Sequence, residues 1–453
     1  MLYDDIICVV VGEIGFSREE WARSREAVDA VLDLLLKELR VEATSYEGLR
    51  IDSYIRQGSS RDGLKVVAPD EFDTILEFHI EGLEINLKQK SIYKNRYRIV
   101  PGFCFIAIEG KSMDTLRERF PKLYRECVFV EKDGLIHVSS RCLHQRAFGS
   151  MVDKACNTII VKIKNLKRSG GSINFDITRT INPPAINIVI LLSDDVHALF
   201  MKQGQPRNMD NLVKEIDVDV VPGLLLRYDN NTKYEGMLLN CPIHAVCKWA
   251  EQERGKALEF VDASLVWSVN TNGYEKHLLD IARQDRRNMY ILTALRIVKT
   301  YFVRKKAIAK EADHAPPQIV TVLKSYHLKQ IALYLMFYLC HLHPSYRLDG
   351  AGTATSYFID IISTALNVKR LPHFFYSNNN LQVMLPDYPC SDGRSLKYDL
   401  FRGISHEALN QAKLSLQDHL TPNLSCSVNV SGDDERNTVL SEFRSASEEM
   451  NFF

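Results

Sequence analysis

One segment constrains the fold of this chain more than any other, because it alternates acidic or polar residues with apolar ones between Glu71 and Ile80. Side chains on a β-strand point alternately to opposite faces of the sheet. The mainly apolar face consists of Phe72, Thr74, Leu76, Phe78 and Ile80. Glu71 and Asp73 lie on the other face. The pattern therefore predicts a strand with one face in a core and two carboxylates at the start of the other.

The two carboxylates are spaced to share a metal ion. Glu71 and Asp73 lie roughly 7 Å apart along the backbone of a strand, so their side chains can converge on one divalent cation. Magnesium prefers oxygen ligands and substrate phosphates, and a pair of ions about 4 Å apart can assist phosphoryl transfer. The alternative is a solvated strand edge, because pairs of acids at this spacing are common.

Two further features point to the same chemistry. Asp217 and Asp219 share one face of a predicted strand over 216–225, opposite Ile216, Val218 and Val220, and the pattern alone does not choose between them. Upstream, Gly58 and Ser59 are small enough for a phosphate to approach the backbone. Together these residues predict metal-dependent nucleotidyl transfer.

Residues 58–73 read GSSRDGLKVVAPDEFD, which closely resembles the signature of the cyclic GMP–AMP synthase (cGAS) family. That family includes the animal cGAS-like receptors and the male-abnormal developmental proteins. Similar segments follow in the family's order within residues 15–415. They are PAINIVI at 184–190, VDVVP at 218–222, Trp-Ser followed by Glu-Lys at 267–276, LRIVK at 295–299, SYHLK at 325–329, and HFF followed by Asn-Leu at 373–381.

The resemblance implies a set of functional residues. Glu71, Asp73 and Asp219 would hold two Mg²⁺ or Mn²⁺ ions, and the family pattern selects Asp219 over Asp217. The expected nucleotide contacts are Gly58, Ser59, Glu275, Lys299, Ser325 and Tyr326, with Ser59, Ser325 and Lys299 at the triphosphate, Tyr326 stacked on a base and Glu275 facing the donor nucleotide. A lysine suits the triphosphate as a point charge, and an aromatic ring stacks on any base.

The residues themselves leave alternatives to three of these assignments. Tyr326 also fits the apolar face of an amphipathic helix, as a core tyrosine. Lys299 also fits an exposed position on a helix predicted over 287–304. Glu275 also fits a solvated acid at a helix start.

Two departures from the family pattern change what can be carried over. The vertebrate DNA sensor has a zinc-binding insertion of one His and several Cys, whereas residues 278–295 contain no cysteine. A structural zinc site needs about four N or S ligands, so no structural zinc is expected. Ser268 replaces the arginine that contacts a base in the family, so base choice is not carried over.

The net charge of the chain bears on whether it binds nucleic acid. The chain has 57 basic and 57 acidic residues, a formal net charge of +0, whereas nucleic-acid sensors usually carry a basic surface. Three basic segments leave room for a local patch, at 88–98, 162–168 and 304–306, although each also fits a solvated face. Without the zinc insertion, double-stranded RNA is the expected activator and double-stranded DNA the less favoured one, since shape-based RNA recognition needs fewer special parts.

The sequence predicts a cytoplasmic protein. Its ten cysteines form no Cys-x-x-Cys pair, the start Met1–Asp5 lacks the apolar core of a signal peptide, and no apolar run reaches the roughly 18 residues of a membrane span. No membrane partner is expected.

With 453 residues, 45% hydrophobic and 25% charged, the chain can form two lobes. We expect an α+β, two-lobed nucleotidyltransferase fold. Residues 1–235 would form a mixed-sheet core lobe with a long bracing helix over 18–40, 236–418 a helical C-terminal lobe, and 419–453, poor in aromatic residues, a disordered tail. Strands are expected over 72–80, 158–163, 186–192 and 216–225, with helices from about 240 onward.

The sequence therefore favours an enzyme, a cGAS-like nucleotidyltransferase joining ATP and/or GTP into a cyclic dinucleotide for innate immune signalling when nucleic acid activates it. The alternative is a catalytically silent scaffold or nucleic-acid-binding protein of the same fold. An oligoadenylate synthetase is a further alternative, disfavoured by the SYHLK and APDEFD segments. The sequence leaves open the bases, the phosphodiester linkage, the activator and the oligomeric state.

Overall fold

The computed structural model describes residues 18–66, 68, 70–88, 102–132, 134–169, 175–182, 185–192, 213–229, 232–234, 236–247, 262–377, 381–388, 398–420 and 433–448. Over these ranges the protein belongs to the mixed α+β class, which confirms the expected fold class at that level. The strands are β1 (Leu49–Gln57), β2 (Glu71–Ile80), β3 (Ile85–Lys88), β4 (Phe103–Ile108), β5 (Phe129–Lys132), β6 (Leu135–Val138), β7 (Phe175–Asn182), β8 (Ala185–Leu192), β9 (Glu215–Asp229), β10 (Lys233–Tyr234), β11 (Met237–Leu238), β12 (Cys241–Cys247) and β13 (Val266–Val269).

The helices range from single turns to seven turns. They are α1 (Arg18–Ala43), α2 (Gly58–Arg61), α3 (Met113–Arg119), α4 (Pro121–Arg125), α5 (Ser140–Cys142), α6 (Gly149–Arg168), α7 (Asn272–Ala282), α8 (Arg286–Glu311), α9 (Gln318–Val322), α10 (Ser325–Met336), α11 (Ala351–Val368), α12 (Phe374–Ser377), α13 (Leu381–Met384), α14 (His406–Ser415) and α15 (Asp433–Glu448). Wider, π-helical turns precede α6 and follow α10 and α14.

The described chain divides into two compact units. The sheet unit comprises Phe16–Tyr228 and Pro242–Asn272, and the helical unit comprises Asp229–Cys241 and Gly273 onward. Residues 242–272, which carry β13 and all of β12 except Cys241, belong to the sheet unit and lie beyond the expected boundary at residue 235.

The large sheet of the sheet unit is mixed. Its order is β1-β2-β9-β12-β13-β4-β6-β5, with β3 beside β4, and with β8 and then β7 continuing from β9. Strands β2 and β9 pair in parallel, whereas β1 and β8 pair with them antiparallel. The short hairpin of β10 and β11 lies in the helical unit.

The helix expected over 18–40 is present as α1 (Arg18–Ala43). Its stripe of Val28, Val31, Leu32, Leu35 and Leu39 is buried, and α1 packs against both β1 and α6. The predicted apolar face of β2 is likewise buried from Phe72 to Ile80. The alternation in sequence therefore orients β2 with its acids away from this core.

Two secondary-structure predictions are wrong. Residues 158–163, predicted as a strand, lie within α6, where Met151, Ala155, Ile159 and Ile163 are buried at helical spacing; packing of this stripe overrides the strand preference of the β-branched run. Helices do not begin at 240, because Cys241–Cys247 and Val266–Val269 are strands of the large sheet.

The predicted disorder of the C-terminal tail is also wrong over Asp433–Glu448, which forms α15. Val439, Phe443 and Ser447, four residues apart, are buried, and the ring of Phe443 packs edge-on against Tyr334 at 5.4 Å. Arg436 forms an ion pair with Asp360, and Glu442 Oε1 lies within hydrogen-bond distance of His343 Nε2, at 2.8 Å. A few buried anchors thus order a segment whose overall composition is polar. The rest of the predicted tail after residue 420 lies outside the described residues.

No helix among those described combines the length and apolar character that crossing a bilayer requires.

Candidate functional site

Four carboxylates lie on one face of the sheet, at neighbouring positions of β2 and β9. In the parallel register Glu71 lies opposite Asp217, and Asp73 opposite Asp219. The intervening pair, Phe72 and Val218, is buried in the core on the other face. Since adjacent strands are separated by about 4.8 Å, the sheet brings together acids that are more than 140 residues apart in sequence.

The structure distinguishes Asp219 from Asp217. Asp219 is half-buried and Asp217 is exposed. Asn187 of β8 lies opposite Asp219, and its Nδ2 donates to Asp219 Oδ1 at 3.2 Å and to Asp217 Oδ1 at 3.4 Å. Asn187 is part of this site that the sequence did not reveal, since only the register of β8 places it there.

Burial raises the pKa of Asp219, and the charges of Glu71 and Asp217 raise it further against the opposing hydrogen bond from Asn187. The acids therefore repel one another across the strand pair. A bound cation would relieve this repulsion.

The turn after β1 brings backbone against Asp73. Gln57, the last residue of β1, pairs with Asp73, and Gly58 then adopts a φ of +69°. A Cβ atom at Gly58 would lie 1.7 Å from Asp73 Oδ2. Glycine is therefore required here for two reasons, its positive φ and its contact with the carboxylate. Ser59, which follows it, is partly buried.

Lys65 is a cation inside the acidic cluster. Its Nζ lies 2.9 Å from Glu71 Oε2 and 3.0 Å from Asp70 Oδ1, and its side chain is 10% exposed. Burial lowers the pKa of Lys65, but the charges of Glu71 and Asp70 outweigh burial and leave the pKa raised. The sequence motif contains Lys65 but gave no reason to pair it with Glu71.

The acid trio of Glu71, Asp73 and Asp219 fits a divalent cation by its donor set. All three supply the hard oxygen ligands that Mg²⁺ and Mn²⁺ prefer. Burial and then the charges of Glu71 and Asp217 raise the pKa of Asp219, so added positive charge would be favoured there. Within the described ranges no three His, Cys, Asp or Glu side chains are already gathered in metal-binding geometry. Glu71 is held instead by Lys65.

A second polar cluster lies in the helical unit. Glu275 of α7 is fully buried and forms an ion pair with Lys329 of α10. Tyr326 Oη donates to Glu275 Oε1 at 3.0 Å, and Gln330 Nε2 donates to the same oxygen at 3.2 Å. Burial raises the pKa of Glu275, but Lys329, His373 and Tyr326 together lower it by more, so the pKa is lowered overall. The alternative of a solvated acid at Glu275 is therefore wrong.

The other predicted nucleotide contacts of this unit have different surroundings. Ser325, the first residue of α10, is exposed, and Tyr326 is partly buried. Lys299 of α8 is buried, so the alternative of an exposed lysine is also wrong. The structure thus brings Glu275 and Tyr326 into contact and places Ser325 beside them in sequence.

The tryptophan segment contributes to the core of the sheet unit. Trp267 is fully buried and its Nε1 donates to the carbonyl of Val138 at 2.9 Å. Ser268, at the position of the family's arginine, donates through Oγ to the carbonyl of Gly102 at 3.2 Å.

Of the predicted basic segments, the one in α6 is partly neutralised by acids. In α6, Lys162 pairs with Glu38 at 2.5 Å and Lys167 with Asp176 at 2.9 Å, while Lys164 and Arg168 are exposed. In α8, Lys305 lies 5.4 Å from the ring of Tyr301. The segment 88–98 lies outside the residues whose side chains are described.

No protein-family model matches the chain, and no curated protein matches it in sequence.

Proposed function

We propose that this protein is a metal-dependent nucleotidyltransferase similar to the cGAS-like receptors, which joins ATP and/or GTP into a cyclic dinucleotide. The observation that carries the proposal is the register that sets Asp73 opposite Asp219, with Gly58 against the carboxylate of Asp73. An acid trio at adjacent strand positions, bordered by a glycine turn, suits cations and the phosphates that accompany them.

Glu71, Asp73 and Asp219 would hold the cations, which when bound supply Lewis-acid stabilisation of charge on the phosphoryl oxygens. A ribose hydroxyl loses its proton to a carboxylate of the cluster or to water, and its oxygen bonds to the α-phosphorus of a nucleoside triphosphate. The bond from that phosphorus to the bridging oxygen breaks, and pyrophosphate leaves. The protein contributes mainly positioning and charge. A second transfer on the linear product closes the ring.

The resemblance assigns nucleotide contacts to residues of each unit. In the sheet unit the backbone of Gly58 and the hydroxyl of Ser59 would contact the triphosphate. In the helical unit the exposed hydroxyl of Ser325 would also donate to phosphate, Lys299 would add charge, and Tyr326 would stack on a base beside Glu275. The partly buried ring of Tyr326 and the exposure of Ser325 support this assignment.

Double-stranded RNA is the proposed activator, with double-stranded DNA less favoured. Exposed cations such as Lys164 and Arg168 of α6 alternate with lysines that are paired to acids. On α6, where exposed and paired cations alternate, recognition by shape fits better than strong attraction to phosphate. The described cysteines are free thiols, which suits the reducing cytoplasm proposed as its location.

The test is incubation of the full chain with ATP, GTP and Mn²⁺, alone and with long double-stranded RNA or DNA, followed by mass spectrometry of the products. A cyclic dinucleotide that Asp73→Ala does not form would support the proposal, and its dependence on one nucleic acid would identify the activator. Linear 2′-linked oligomers would instead indicate an oligoadenylate synthetase.

One observation favours a second candidate, a catalytically silent scaffold or nucleic-acid-binding protein. Lys65 already neutralises Glu71 at 2.9 Å, so the acidic cluster can be stable without metal. This candidate predicts no product with any activator, together with nucleic-acid binding that Asp73→Ala leaves unchanged.

A further inference from the structure

His373 lies in the interior of the helical unit, beside the tyrosine assigned to a nucleobase. Its side chain is 3% exposed. The ring uses both nitrogens: Nδ1 accepts from the backbone N–H of Phe375 at 3.1 Å, and Nε2 lies 2.8 Å from Tyr326 Oη.

The first of these bonds fixes the direction of the second. A backbone amide can only donate, so Nδ1 is an acceptor and the proton of the neutral ring is on Nε2. Nε2 therefore donates to Tyr326 Oη, and the tyrosine uses its own proton to donate to Glu275 Oε1 at 3.0 Å. Burial lowers the pKa of His373 to about 4, so the ring is neutral at neutral pH.

The hydrogen bonds close into a ring. Gln330 Nε2 donates to Glu275 Oε1 at 3.2 Å, and Gln330 Oε1 accepts from the backbone N–H of Phe374 at 2.8 Å. The path from Phe375 through His373, Tyr326, Glu275 and Gln330 therefore ends at Phe374, the neighbour of Phe375 in the chain. Lys329 adds its charge to Glu275. Each member has its donor and acceptor roles fixed by its neighbours, which specifies one arrangement of the cluster.

We propose that His373 is a positioning residue, which holds the hydroxyl of Tyr326 through Nε2–H so that the partly exposed ring is preset for stacking on a nucleobase. The inference rests on the proposed function, because it assigns a purpose to the ring that is meant to contact the nucleotide. The hydroxyl accepts one bond from His373 and donates one to Glu275, and these two anchors restrict rotation of the ring about its side-chain bonds. A ring that is ordered in advance loses less conformational freedom on binding.

The test measures ATP and GTP affinity of the full chain in the presence of Mn²⁺, with KM and kcat where turnover is found. Tyr326→Phe keeps the ring and removes both hydroxyl bonds, and His373→Phe removes the donor. We expect each to weaken nucleotide binding by roughly three- to tenfold and to raise KM with little change in kcat. The nucleotide affinity of the double variant should equal that of the lower-affinity single variant, because both substitutions remove the same bond. His373→Gln, which retains a donor, should restore most of the affinity.

The matched control is Tyr334→Phe. Tyr334 lies two turns further along α10 and is fully buried, and its hydroxyl has no hydrogen-bond partner among the described residues. This variant should bind nucleotide as the wild type does, and thermal unfolding of all variants identifies any that fail to fold.

Three outcomes overturn the inference, and they differ in which other parts of the proposed function they leave intact. If Tyr326→Ala loses nucleotide while Tyr326→Phe and His373→Phe bind normally, the stacking assignment stands and positioning by His373 is wrong. If the effects of His373→Phe and Tyr326→Phe simply add, the two residues act independently and positioning is again wrong. If Tyr326→Ala binds normally, the nucleobase contact itself is wrong, whereas the acid trio remains to be judged by metal binding and product formation.

Discussion

Asp73 of β2 lies directly opposite Asp219 of β9 in a parallel pair of strands. Asp217 occupies the equivalent position opposite Glu71 but is exposed, whereas Asp219 is half-buried and accepts the shorter hydrogen bond from Asn187. The two aspartates therefore differ in environment even though the sequence pattern treats them alike.

This difference leads to the first prediction. Asp219→Asn should lower nucleotidyl transfer by at least about 100-fold, because it removes a charge beside Asp73 at the reacting phosphate, whereas Asp217→Asn should cost roughly tenfold or less. Rates of product formation at saturating nucleotide and Mn²⁺ measure both. An equal loss in the two variants would mean that the third ligand is assigned to the wrong residue.

Gly58→Ala should disrupt the acidic cluster. A Cβ atom there would lie 1.7 Å from Asp73 Oδ2, at a φ of +69°, so either the turn or the carboxylate must move. We expect turnover to fall by about 100-fold and the free energy of unfolding to fall by about 1–3 kcal/mol.

The control for this variant is Gly110→Ala in the same unit. Gly110 has a φ of +68°, but a Cβ atom there would meet nothing within 4 Å. It should lose a similar amount of stability from backbone strain and keep full activity. If both glycine variants are equally active, the contact of Gly58 with Asp73 has no functional role.

Lys65→Met should increase the affinity of the protein for Mn²⁺. The lysine competes with a metal ion for Glu71, at 2.9 Å and with a side chain that is 10% exposed. Removing a charged hydrogen bond of this kind should raise affinity roughly tenfold, measured by isothermal titration calorimetry. Lys154→Met, whose lysine pairs at 3.8 Å with Glu42 on the surface, is the control and should leave affinity unchanged. Weaker metal binding by Lys65→Met would show that the lysine supports the site instead of competing for it.

His373 should make the stability of the protein depend on pH in a defined window. Burial lowers its pKa from 6.5 to about 4, so between these values the unfolded chain binds a proton that the folded protein does not. The stabilisation is therefore complete above pH 6.5 and declines as the pH falls toward 4, by roughly 3 kcal/mol in all.

Urea unfolding followed by circular dichroism at about pH 7.5 and about pH 5 measures this decline. The difference between wild type and His373→Gln isolates the histidine, because buried carboxylates such as Glu275 with a lowered pKa lose their contribution only at lower pH. Identical pH dependence in the two proteins would show that His373 is not buried as a neutral ring.

The strand–acid pattern of the site could be predicted from sequence because it depends on a local rule. Alternation over Glu71–Ile80 fixes which side chains of β2 are buried, and the same rule orients Asp217 and Asp219 on β9. What the rule cannot supply is the register between strands distant in sequence. The pairing of Asp73 with Asp219, and the approach of Asn187 to both aspartates, depend on long-range contacts.

Predictions failed where packing overrode local preference. The run of β-branched residues at 158–163 favours a strand, yet Ile159 and Ile163 belong to the buried stripe of α6. Likewise, Val439 and Phe443 are too few to predict an ordered helix within a polar segment, but the helical unit buries both. Lys65 and His373 were also missed as partners of Glu71 and Tyr326, since neither pairing follows a sequence spacing rule.

Binding of Mn²⁺, followed by electron paramagnetic resonance without nucleotide, tests most directly whether the acid trio holds a cation. In the wild type and in Asp217→Asn, the signal of free Mn²⁺ should fall as the ion binds, and binding should saturate. Binding should be far weaker in Glu71→Ala, Asp73→Ala and Asp219→Asn. These three variants should keep the wild-type circular dichroism spectrum. Binding that is absent from the wild type, or equal in wild type and Asp73→Ala, would contradict the proposed metal-dependent activity.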